Sequence, residues 1–88
     1  MGNNAQRDPE HIRGLFDQLF AELPEFPESE SEKVKSVLVG GEFLVAIENL
    51  TTQLYELDIP IGGPARATLG ELASITSLAP RYTSRLGL

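Results

Sequence analysis

Residues 8–24 read Asp8-Pro9-Glu10-His11-Ile12-Arg13-Gly14-Leu15-Phe16-Asp17-Gln18-Leu19-Phe20-Ala21-Glu22-Leu23-Pro24, and they set the fold class. Ile12, Leu15, Phe16, Leu19, Phe20 and Leu23 recur at intervals of three and four, the signature of one buried helical stripe. Arg13, Asp17, Gln18 and Glu22 occupy the other side. Asp8 can accept from the free N–H groups of the first turn, and Pro9 suits the first helical position because its missing donor has no intrahelical partner there. Pro24 ends the run, since its ring cannot continue the hydrogen-bond ladder.

The same grammar repeats outward from this helix. Pro24-Glu25-Phe26-Pro27-Glu28 reads as an extended loop whose Phe26 folds back onto the core. Ser29-Glu30-Ser31-Glu32 fits a capping box, with Ser29 bonding forward and Glu32 bonding back. The helix it opens carries Val34, Val37 and Leu38 inward and stops at Gly40-Gly41, where glycine tolerates the left-handed conformation. A third helix is predicted from about Glu42 to Leu57, with Phe43, Ala46, Ile47, Leu50, Leu54 and Leu57 as its core stripe.

Asp58 to Gly63 reads as a turn, and Pro64 opens a fourth helix that buries Ala65, Leu69, Leu72, Ala73 and Thr76. Ala79-Pro80 breaks that pattern, leaving Arg81 to Leu86 for a last helical turn. The expected architecture is all-α, a small antiparallel bundle of four helices with or without a short fifth. Residues 1–7 are expected as a flexible tail, and residues 8–88 as a single domain, since 88 residues suffice for one small core.

Composition narrows the function. The formal charge is −6, with 13 acidic residues against seven basic ones. It divides unevenly, at −8 over residues 1–58 and +2 over residues 59–88. Direct nucleic-acid binding needs cations to displace counterions from phosphates, so this balance argues against it and favours a basic protein partner. Without cysteine there is no disulfide framework, thiolate metal site or cysteine nucleophile. The start of the chain is polar, with no apolar run of the ~7–15 residues that an export signal needs. Nor does any stretch approach the ~20 apolar residues of a membrane span. The expected location is the cytoplasm, as a monomer by preference.

Catalytic constellations are scarce. His11, the single histidine, sits in the first turn of a helix, where the dipole disfavours its protonation, so it is no obvious base or metal ligand. Neither Gly40-Gly41 nor Gly62-Gly63 is followed by the Lys-Ser/Thr of a phosphate loop. Asn49-Leu50-Thr51 matches a glycosylation sequon but falls in mid-helix. No catalytic residue, cofactor or metal is expected. Glu25, Glu28, Glu30 and Glu32 look solvated, with helix-start acids favoured by the dipole. Two small acidic helical families fail on their motifs. Acyl carrier proteins need Asp-Ser-Leu at a helix start, and the colicin DNase immunity proteins need a paired-tyrosine motif.

A third family fits. Gly41-Glu42-Phe43, then Ala46-Ile47-Glu48-Asn49-Leu50, then Gln53-Leu54-Tyr55-Glu56-Leu57-Asp58-Ile59-Pro60-Ile61 resembles the Maf-family immunity proteins, with Ile47 where leucine is usual. The resemblance is carried by residues 40–61. It implies a bacterial antidote that binds and blocks a cognate toxin domain, EndoU-like RNases being among the toxins associated with that family. Under that reading, acidic residues would cover a basic, phosphate-binding surface and steer association. The candidates from the flanks of the third helix are Glu42, Glu48, Tyr55, Glu56 and Asp58. Glu25, Glu28, Glu30 and Glu32 form the alternative patch. A different class stays open: an acidic helical adaptor or regulatory domain whose charge serves solubility and whose partner is no toxin.

Overall fold

The computed structural model describes residues 8–88. The tail expected over residues 1–7 lies outside them. Five helices follow in order: α1 (Pro9–Glu22), α2 (Glu28–Val39), α3 (Phe43–Glu56), α4 (Gly63–Thr76) and α5 (Pro80–Ser84). The described residues contain no strand. The fold is the expected all-α bundle, with the short fifth helix present. α2 packs on α3 and α1 on α4, while α3 also meets α4 and α5.

The periodic apolar positions meet at the centre. Phe16, Leu19, Ala46, Ile47, Leu50, Leu69 and Leu72 are fully buried. A completely buried leucine or phenylalanine contributes about 1.5–3 kcal/mol relative to an exposed one, so this shared core, more than helix propensity, holds the short helices. Phe26 folds back as expected, its N–H donating to the Leu23 carbonyl at 3.0 Å. At the start of α1, the Asp8 carboxylate accepts from the Glu10 N–H at 3.3 Å with Pro9 beside it.

Four helices close in the same way. After α2 the Glu42 N–H donates to the Val37 carbonyl and Gly41 to Leu38. After α3 Ile59 donates to Leu54 and Asp58 to Tyr55, and after α4 Leu78 donates to Ala73 and Ser77 to Ser74. After α5 Leu88 donates to Thr83 and Gly87 to Ser84. Each is the paired closure that a single left-handed residue permits. Those residues are Gly41 (φ 78°), Asp58 (φ 53°), Ser77 (φ 59°) and Gly87 (φ 77°).

This closure corrects one core position. Leu57, expected in the stripe of α3, is 47% exposed. The helix ends at Glu56, and the reversal at Asp58 folds Ile59 back over Leu54 to take the buried place. The capping box is also corrected. α2 begins at Glu28 behind Pro27, whose extended backbone (ψ 139°) serves as the cap without any side-chain bond. Ser29 therefore lies inside the first turn, and Glu32 approaches Lys35 instead, at 3.9 Å. Ser31 turns inward and donates to the Glu28 carbonyl at 2.9 Å.

Polar side chains also hold the bundle. Gln18 and Glu22, expected to face solvent, meet Thr68 of α4. Thr68 Oγ1 donates to Glu22 Oε1 at 2.7 Å and accepts from Gln18 Nε2 at 3.2 Å. Thr51, fully buried on α3, returns its hydroxyl proton to the Ile47 carbonyl at 2.7 Å. Local back-bonding of this kind satisfies a buried hydroxyl without a tertiary partner.

Candidate functional site

Because α3 buries Ala46, Ile47, Leu50, Thr51 and Leu54, the remaining positions along it necessarily point away from the core. Glu42 precedes its first turn, Glu48 lies midway on one flank, Glu56 is its last residue and Asp58 follows the cap residue Leu57 in the left-handed conformation. Glu42, Glu56 and Asp58 are exposed and Glu48 is half-buried. None of the four makes an ion pair among the described residues.

The alternative patch differs. Glu30 approaches Lys33 at 3.5 Å and Glu32 approaches Lys35 at 3.9 Å, each pair three residues apart on α2. Such surface pairs contribute little stability, but each lysine offsets the charge of its glutamate. Glu25 and Glu28 are exposed at the loop and the start of α2, one helix away from the α3 acids. The two sets of candidates therefore do not converge on one point.

Apolar side chains that sequence periodicity passed over lie near the α3 acids. Val39, at the end of α2, is 83% exposed, and Leu44 and Val45 in the first turn of α3 are each 41% exposed. These three fall within seven residues around the α2–α3 corner. A groove of about 320 Å³ opens beside Leu44, lined also by Ile12, Glu42, Phe43 and Ile75. The missed signal was available: all three sit off the buried stripe, where a polar residue would be ordinary.

Tyr55 is 50% exposed, but its ring is not bare. The Arg85 guanidinium lies over it at 4.8 Å from the centroid and over Tyr82 at 5.5 Å. Arg85 Nη2 also donates to Thr52 Oγ1 at 3.2 Å. The far end of α3 is thus a cation–aromatic cluster that ties the last turn of the chain to the helix.

His11 approaches Glu71 at 3.7 Å across the surface of α1 and α4, and both side chains are more than two-fifths exposed. Among the described residues no three His, Asp or Glu side chains converge closely enough to hold a metal ion. No described helix is long and apolar enough to cross a membrane. Comparison with family models, curated proteins and solved structures finds no match to this chain.

Proposed function

We propose that this protein is an immunity protein that binds a cognate toxin domain, a basic nuclease, and blocks it through the outer face of α3 and the α2–α3 corner. The observation that carries the reading is the pairing of unpartnered carboxylates with exposed aliphatic side chains. Glu42 and Glu48 flank Leu44 and Val45 on one helix, with Val39 just before it. A protein interface gains affinity from a few desolvated apolar anchors, and gains partner choice and on-rate from charge around them. The motif over residues 40–61, which resembles the Maf-family immunity proteins, spans this same corner and helix. The contrast between the two acidic patches favours α3 over Glu30 and Glu32, whose charges already have lysine neighbours.

The test is co-expression with any toxin domain found encoded beside this gene, read as co-purification and rescue of growth. Replacing Glu42, Glu48 and Glu56 together by glutamine should slow association about 10-fold or more at low salt. Leu44→Asp should cost most of the affinity through dissociation. Rescue that survives both changes would remove α3 as the interface. Failure to bind the neighbouring toxin, with retention of another cellular partner, would favour the acidic adaptor.

A further inference from the structure

The positive end of the chain holds a second site, built on two arginines that the toxin reading does not use, although Tyr55 and Asp58 were also candidates for that reading. A cleft of about 240 Å³ lies between α3, α4 and the last turn, with Tyr55, Asp58, Ile61, Arg66, Arg85 and Leu86 in its lining. The chain has 13 carboxylate side chains, yet among the described residues neither Arg66 nor Arg85 has one within ion-pair distance. Both guanidinium groups are nevertheless held in place. Arg66 Nη2 donates to the Gly87 carbonyl at 2.9 Å, and Arg85 Nη2 donates to Thr52 while its plane rests on Tyr55 and Tyr82. A guanidinium has five N–H donors, and each of these groups spends donors of one nitrogen only. Their positions are therefore fixed by neutral partners and aromatic faces, while most of their donors stay available.

We propose that this cleft is a carboxylate-binding site, which receives an aspartate or glutamate side chain of a protein partner. The two arginines with Asp58 leave a single net positive charge in the lining, which suits a monoanion. A dianionic phosphate would face Asp58 at twice the charge. The planar fork of a guanidinium matches a carboxylate in a bidentate arrangement, and Ile61 and Leu86 offer apolar walls for the methylene stem. A polyanionic nucleic acid is disfavoured by the net charge of −6, which repels it before the cleft is reached.

The chain carries its own reporter. It has no tryptophan and only two tyrosines, Tyr55 and Tyr82, and both lie against Arg85. The intact protein is titrated at fixed ionic strength with a capped, otherwise neutral peptide that carries a single glutamate, its glutamine counterpart, inorganic phosphate and a short RNA. Tyrosine emission and the arginine side-chain Nε–Hε resonances are followed together. The glutamate peptide should give a saturable change in emission and shift Arg66 and Arg85, and the glutamine peptide should give neither. Arg66→Gln should weaken the response about 10-fold. Arg66→Lys, keeping charge but losing the fork, should fall between. Arg13→Gln, whose guanidinium lies over Phe43 on another part of the surface, should leave it unchanged. Asp58→Asn should strengthen phosphate binding more than carboxylate binding. Circular dichroism of each variant checks that the helices persist. An equal response to the glutamine peptide, tighter binding of phosphate or RNA, or insensitivity to Arg66→Gln would each overturn the proposal.

Discussion

Asp58 occupies a backbone conformation, φ 53°, that favours glycine, at a helix end where the dipole disfavours negative charge. Its helix would close equally well around glycine, as α2 does around Gly41. Asp58→Gly should therefore stabilise the fold by about 1 kcal/mol, read as a higher denaturant midpoint with an unchanged slope. Gly41→Ala should move stability the other way by a similar amount, about 1 kcal/mol, although nothing lies within 4 Å of the added methyl. The comparison isolates backbone conformation from packing. It also marks what a sequence can disclose at this scale. Gly41 announces a left-handed closure by its residue type, whereas Asp58 and Ser77 adopt it through a tertiary demand that their types conceal. That is why Leu57 was expected inside and Ile59 lies there instead.

At the scale of elements, apolar spacing located α1 to α4, because a stripe repeating at three and four has only one way to be buried, whereas α5, which buries no residue, was marked only by the break at Pro80. It carried less information about which helices pair. α1 and α4 are far apart in sequence, and their contact is keyed by Thr68 with Gln18 and Glu22, residues that a helical wheel assigns to solvent. Thr68 is 3% exposed, so Thr68→Val keeps its shape while leaving the Glu22 carboxylate and Gln18 amide without their shared hydroxyl. The expected loss is about 1–2 kcal/mol, measured by thermal or denaturant unfolding. Placing the same substitution in a Gln18→Ala, Glu22→Ala background should cost clearly less, since the partners of the Thr68 hydroxyl are already gone. The candidate site was legible only in part for a related reason. The acids on the flanks of α3 follow from its core stripe, but the aromatic position Tyr55 could not reveal that Arg85, 30 residues later, would cover it.

Over the whole molecule, the charge that under the proposed function would draw a basic partner to α3 also works against the fold. Residues 1–58 carry −8, and among the described residues only Glu30–Lys33 and Glu32–Lys35 pair a carboxylate there with a lysine. Self-repulsion of this kind destabilises a compact state and is screened within a Debye length of ~8–10 Å at physiological salt. Salt should therefore act with opposite sign on the two equilibria. Raising ionic strength from about 0.05 to 0.5 M should increase the unfolding midpoint of the free protein, while slowing association with a basic partner by roughly 10-fold or more. Specific anions that strengthen hydrophobic burial would blur the first effect, so sodium chloride is the appropriate salt. Replacing Glu42, Glu48 and Glu56 by glutamine should flatten both dependences at once, because the same carboxylates act in each. If the unfolding midpoint of that variant keeps its full salt dependence while association loses it, the α3 carboxylates steer the partner without straining the fold. The repulsion then resides in the remaining acids, those of residues 8–32 together with Asp58 and Glu71.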